Sequence, residues 1–153
     1  MKTHELIDRY ELIKQMIEGK SICEIEGLQL AYIEVFQHSG IRYVSYNEQK
    51  GKGRNFRKGT FKDVQPEFDY ILMTQINITT MDLFQVVEEL YHKAKKGVIL
   101  NGYGERNDFQ DGNNYRNIPE IINRVSMFSG RIDLILYPES NQNEFFIKLS
   151  KLT

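Results

Sequence analysis

Six cations, Lys50, Lys52, Arg54, Arg57, Lys58 and Lys62, fall within 13 residues that contain no acid. Phe56 and Phe61 stand among them, and Gly51, Gly53 and Gly59 make the segment pliable. Cations at this density neutralise phosphates, and aromatic rings stack on unpaired bases, so the segment is a candidate nucleic-acid surface. The plainer alternative is a solvated loop whose phenylalanines enter the core. A near balance of 20 Lys+Arg against 21 Asp+Glu favours that alternative, because bulk charge then names no polyanionic partner. A second group, Tyr103, Glu105, Arg106, Asp108 and Tyr115, lies in a polar stretch from residue 101 to 117 that is rich in Gly and Asn. Glu105 can act there as a base, and Arg106 can hold an anion. A polar surface loop would have the same composition.

Other chemistry is thin. Cys23 is the one cysteine and sits in an apolar run, so it reads as a buried strand residue rather than a nucleophile. It can form no internal disulfide, which suits a reducing compartment. His4, His38 and His92 are scattered and form no metal-ligand pair. No stretch approaches 18 apolar residues, and Met1 leads into a charged helix, so the expectation is a cytoplasmic protein that does not span a membrane.

These residues need a scaffold, and the chain is long enough for one domain, 1–153, with one sizeable core. Thr3 caps a first helix with Leu6, Ile7, Tyr10, Ile13, Met16 and Ile17 on its apolar face, ended by Gly19. Ser21 to Ile25 reads as a buried strand. Leu28, Ala31, Tyr32, Val35 and Phe36 follow at the spacing of one helix face, and Gly40 stops that helix. Ile41 to Tyr46 is a strand, which completes a right-handed βαβ unit. Phe56 to Phe61 holds a short strand with Gly59 as a bend. Phe68 to Ile76 has the continuous apolar pattern of a strand buried on both faces.

A helix then runs from Thr79, with Asp82 at the capping-box position, to a cationic last turn at Lys93, Lys95 and Lys96, and Gly97 stops it. Val98 to Leu100 is a strand. Asn117, Pro119 and Glu120 open another helix, ended by Gly130. Arg131 to Tyr137 and Glu144 to Leu149 form a terminal hairpin. The class is α/β: a mostly parallel central sheet with helices on both faces and a C-terminal antiparallel hairpin.

In this order the pieces resemble a small class I, Rossmann-like S-adenosylmethionine-dependent methyltransferase. Gly19-Lys20-Ser21-Ile22-Cys23-Glu24-Ile25 resembles the family's first strand, Phe56 to Val64 its third strand and exit, and Phe68 to Met73 its fourth. Glu89 to Leu100 resembles the approach to its fifth. The resemblance implies a transferase that binds S-adenosylmethionine, with Gly27, Asn47, Glu48 and Thr60 at the cofactor. It also implies Gln75 and Asn77, at the exit of the fourth strand, at the substrate beside Tyr103, Glu105 and Arg106. A competing resemblance sets Cys23-Glu24-Ile25-Glu26-Gly27 against the D-x-E-G stretch of FkbM-type methyltransferases, which displaces the fold by several strands.

The departures fall on the cofactor motif. Glu26, Leu28 and Leu30 stand at the positions of the family's glycines. Asn47 stands where an acid holds the ribose hydroxyls, and Thr60 where an acid meets the adenine. The motif is degenerate, so three readings remain open: a methyltransferase acting on an unknown substrate; a binding or assembly partner, or homo-oligomer, that has lost the cofactor; and a nucleic-acid-binding protein using Lys50, Lys52, Arg54, Arg57 and Lys58.

Overall fold

The computed structural model describes residues 3–25, 35–48, 55–73, 83–103, 118–137 and 144–152, and every structural statement below concerns these. The elements in chain order are α1 (Thr3–Met16), β1 (Ser21–Ile25), β2 (Arg42–Asn47), β3 (Phe56–Lys58), a 3-10 turn (Phe61–Asp63), β4 (Tyr70–Met73), α2 (Leu83–Lys93), β5 (Gly97–Tyr103), α3 (Ile118–Val125), β6 (Arg131–Tyr137) and β7 (Glu144–Ser150). Residues 35–37 are helical and carry the buried Val35 and Phe36. The remainder of the helix expected before β2, with Gly27, lies outside the described residues, as do Thr79 and Asn117.

Seven strands form one sheet in the order β3-β2-β1-β4-β5-β7-β6. The first five strands pair in parallel, and β7 is antiparallel to both β5 and β6. Ser21–Ile25 is thus the first strand of this order, which sets aside the displaced register. Alternation along each strand sorts the core into two layers. Cys23, Ile25, Val44, Tyr46, Ile71, Met73, Val98 and Leu100 face α2 and α3. Ile22, Tyr43, Tyr70, Leu72 and Ile99 face α1 and the helical residues 35–37. Helices therefore cover both faces, as the apolar patterning requires.

Several boundaries differ from expectation for local reasons. α1 ends at Met16, and Gly19 serves a different purpose. An added Cβ there would lie 2.8 Å from Asp69 Oδ2, the same oxygen that accepts from the Lys20 backbone N–H at 2.8 Å. Phe68 and Asp69, read as strand, instead hold the approach to β5: their carbonyls accept from Lys95 N–H (2.9 Å) and Lys96 N–H (2.8 Å). β5 begins at Gly97 and runs on to Tyr103, because β7 pairs along its whole length. The polar stretch expected from residue 101 therefore starts later. Lys93 stands in the last turn of α2, as expected, and its Nζ also reaches the carbonyls of Phe61 and Lys62, while the His92 carbonyl accepts from Lys151 Nζ at 3.2 Å.

A buried ion pair bolts α1 to the sheet. Arg9 donates through Nε to Glu144 Oε2 at 2.5 Å and through Nη2 to Oε1 at 2.8 Å, with both side chains almost wholly out of solvent. Asn101 Nδ2 adds a third donor to Glu144 at 2.8 Å and reaches the Phe145 carbonyl at 3.1 Å. Burying a carboxylate is unfavourable unless it is paired and hydrogen-bonded, and this bidentate geometry meets both conditions.

Replacing Arg9 by Met leaves Glu144 buried without its counter-charge. Chemical denaturation should show a loss of about 3–5 kcal/mol, with much of it recovered in the Arg9→Met/Glu144→Leu double variant. Gly97 gives a second test. A Cβ there would lie 2.0 Å from the Leu149 carbonyl oxygen, a backbone atom that cannot swing aside. Gly97→Ala should therefore lower the unfolding free energy by at least about 1–3 kcal/mol, where a glycine needed only as a helix stop would tolerate alanine far better.

Candidate functional site

β1 to β5 run in parallel with their last residues, Ile25, Asn47, Lys58, Met73 and Tyr103, on one edge of the sheet, β5 extending three residues past the partner of Met73. In open α/β sheets this carboxyl edge is where ligands bind. Asn47 is the last residue of β2, is buried, and pairs in register with Lys58 of β3. Its carbonyl accepts from the Gly59 N–H at 2.9 Å. Gly59 has φ +154°, and a Cβ there would lie 2.6 Å from Asp63 Oδ2, so only glycine turns the chain at this point. The turn sets Thr60 next to the end of β2, and the exposed Glu48 follows Asn47 on the same rim. Asn47 thus closes β2 with Glu48 directly after it, and Thr60 follows the glycine that is hydrogen-bonded to Asn47.

Thr60 has a local duty that the sequence reading missed. Its hydroxyl accepts from the Lys62 N–H at 3.3 Å, and its own N–H donates to Asp63 Oδ2 at 2.7 Å. The pair forms a capping box on the 3-10 turn. Asp63 therefore supplies a carboxylate at the exit of β3, three residues beyond the position where an acid was sought. The Thr-x-x-Asp spacing was the available signal, since the same spacing is read at Thr79 and Asp82.

The larger omission is Glu24. It lies on β1 with no solvent exposure, and both carboxyl oxygens accept from tyrosines. Tyr10 on α1 donates at 2.5 Å, and Tyr43 on β2 donates to the other oxygen. Burial first, and the neighbouring Glu24 second, push the Tyr43 phenol well above its ordinary range, so it stays protonated as a donor. Phe36 stacks on the Tyr43 ring at 5.3 Å between centroids and holds it in place. An isolated Glu in an apolar strand signals a buried partner, and Tyr10 and Tyr43 were visible as apolar positions but not as donors. Cys23 is free and buried beside it, and burial above all raises its thiol far out of the reactive range, which fits a structural role.

The remaining candidates divide. Tyr103 is the terminal residue of β5 rather than part of a loop. Gln75, Asn77, Glu105 and Arg106 lie outside the described residues, as do Lys50, Lys52 and Arg54. Arg57 is engaged within the fold: it donates to the Tyr46 hydroxyl at 3.0 Å and to Glu67, and it lies 5.7 Å over the rings of both Tyr46 and Phe68. Arg42 covers Phe68 from 5.0 Å and also approaches Glu67. Tyr46 and Phe68, which flank the basic segment in sequence, therefore lie under the protein's own arginines, while Phe61 has Lys62 Nζ 6.0 Å over its ring. Lys58 and Lys62 stay exposed. Among the described residues no group of three or more His, Cys, Asp or Glu is placed to hold a metal ion, and no helix is long and apolar enough to cross a membrane.

No protein-family model matches the chain, and no curated protein matches its sequence. Solved structures do resemble it. A SAM dependent methyltransferase from Archaeoglobus fulgidus superposes with a TM-score of 0.77 at 10% identity, over 98% of this chain and 95% of that one. The Burkholderia thailandensis 1,6-didemethyltoxoflavin-N1-methyltransferase, solved with 1,6-didemethyltoxoflavin and S-adenosylhomocysteine bound, gives 0.71 at 7% identity over 96% and 78%. Human N-acetylserotonin methyltransferase in complex with SAM gives 0.66 at 14% identity; it is covered over 48% of its length, by 87% of this chain. At such identities the likeness carries the fold alone, and with the strand order it is decisive for that: the chain has the Rossmann-like fold of class I S-adenosylmethionine-dependent methyltransferases.

Proposed function

We propose that the chain binds S-adenosylmethionine at the carboxyl ends of β1 to β3 and transfers a methyl group to an acceptor of unknown identity. The observation that carries this reading is the junction of Asn47 and Thr60 through the Gly59-to-Asn47 hydrogen bond, with Glu48 on the same rim. That rim fits the nucleoside half of the cofactor. Ribose hydroxyls need acceptors and donors; Glu48 provides the first, and the Asn47 amide provides both. Thr60 and Asp63 fix the turn against which a base would rest. Gly27 belongs to the methionine half.

Bound there, the cofactor supplies an electrophilic methyl group on a sulfonium. The protein's own work is to hold and orient it, which can account for much of a methyl transfer, where in-line placement dominates. Gln75, Asn77, Tyr103 and Arg106 would position the acceptor, and Glu105 would take the proton released from its N–H or O–H. The single free cysteine suits a cytoplasmic location.

A second reading has its own support. Leu28 and Leu30 occupy the positions where glycines let the backbone approach the cofactor. A domain that has lost the cofactor and serves as a binding partner would carry such residues. The engagement of Arg57 with Tyr46, Phe68 and Glu67 weighs against a nucleic-acid surface at this segment.

Titration calorimetry with S-adenosylmethionine and S-adenosylhomocysteine separates the two readings. Micromolar binding is expected. No heat and no thermal shift at millimolar ligand would establish the degenerate reading instead. Asn47→Ala should weaken binding by about five- to tenfold, the equivalent of one hydrogen bond. Asn47→Asp should tighten it by a similar factor, because an ionised acceptor makes the stronger bond to ribose. If neither variant moves the affinity while both melt like the parent, the ribose lies elsewhere.

A further inference from the structure

The four large hydrophobic side chains most exposed among the described residues all lie along one margin of the molecule. Leu134 (42% exposed) and Leu136 (63%) stand on β6, Met127 (83%) in the turn before it, and Leu152 (78%) just after β7. Leu152 belongs to this margin because its Cγ lies 2.7 Å from where a Cβ on Gly130 would sit. It fills the side-chain space that Gly130, one residue before β6, leaves open. β6 is also the last strand of the sheet. Natural edge strands are usually blunted by lysine, proline, a bulge or short length. β6 has seven residues, contains neither Lys nor Pro, and pairs with β7 without interruption from Arg131 to Tyr137.

From this edge we infer that the chain forms a two-fold dimer in which β6 pairs antiparallel with β6 of a second copy, centred on Ile132. Side-chain chemistry selects the centre. The only charges on the strand are Arg131 and Asp133, which flank Ile132 and already contact each other at 3.1 Å. A two-fold at Ile132 sets Arg131 of each copy opposite Asp133 of the other, so four charges alternate in sign across the join. The same operation sets Leu134 opposite Gly130 of the second copy, where Leu152 lies. It carries Leu136 toward the Phe128 and Met127 turn. The apolar residues fall on both sides of Ile132, and an antiparallel pairing brings the two sides into contact. A centre one residue along, at Asp133, would instead oppose two carboxylates. A two-fold contact requires this self-complementarity, whereas pairing with an unrelated strand does not.

The dimer is independent of cofactor binding, so the two can fail separately. Sedimentation of the full chain over a range of concentrations should show a reversible dimer. Leu136→Asp, a change at an exposed site, should raise the dissociation constant by at least about tenfold, since the residue enters the contact twice. Asp133→Arg should weaken the dimer, and Arg131→Asp/Asp133→Arg should restore it.

Cysteine scanning reads the register, because Cys23 is the only native thiol and is buried. Paired residues in antiparallel strands have Cα atoms roughly 4.5–5.5 Å apart, within disulfide reach. Ile132→Cys should therefore crosslink to itself under mild oxidation, and Leu136→Cys should not. A monomer at all concentrations would overturn the proposal. So would a dimer indifferent to Leu136→Asp, or stronger self-crosslinking at position 134 or 136 than at 132.

Discussion

Two carboxyl groups lie fully buried near the ligand edge of the sheet, and both depend on one turn of α1. Glu144 opens β7 and is held by Arg9; Glu24 nears the end of β1 and is held by Tyr10. Arg9 and Tyr10 are consecutive in sequence, yet they reach strands at different places in the sheet order. Neither acid could remain in the interior without these donors, because an unpartnered buried carboxylate is far less favourable than a solvated one. The register of α1 on the sheet is therefore fixed by charge and hydrogen bonding as well as by the apolar contacts of Ile13, Met16 and Ile17. Sliding the helix by one residue would break both connections together.

The same constraint shapes the rim where a ligand would sit. Glu24 directs its oxygens to Tyr10 and Tyr43, so the end of β1 is organised around an internal polar contact. Tyr43 lies on β2, four residues before Asn47, and its carbonyl accepts from Asn55 Nδ2 at 2.7 Å, just before β3. The alignment of β1, β2 and β3 is thus tied through Glu24, Tyr43 and Asn55 before the rim residues are reached. Asn47, Gly59 and Thr60 inherit their placement from this underlying layer.

Much of this architecture is legible in the residues, and the gaps have physical causes. Strand and helix order follows from periodicity, which reports burial directly. The boundaries at Gly19 and Gly97 are ambiguous in the sequence because glycine marks either a helix stop or a close approach, and only the tertiary neighbours, Asp69 and the Leu149 carbonyl, distinguish the two. Glu24 and Glu144 were passed over for a related reason: a strand acid looks solvated until the residue that pairs with it, 14 or 135 positions away, is known. Arg57 shows the converse. It reads as a free cation in a basic run, and the fold stacks it on Tyr46 and Phe68. Local composition records charge, but its availability depends on neighbours the chain brings from afar.

The sheet order keeps the two proposed surfaces apart. Asn47 ends β2, and the dimer edge is β6, five strand positions away. At roughly 4.8 Å between strands this is about 24 Å across the sheet. Pairing through β6 would extend the sheet and leave the rim of β1 to β3 open on both copies. It would also cover Leu134 and Leu136, which have no evident role at a cofactor rim and which an isolated edge strand would otherwise expose to promiscuous pairing. The two features answer to different constraints: the rim to the polar groups at strand ends, and the edge to the self-complementarity of the residues on either side of Ile132.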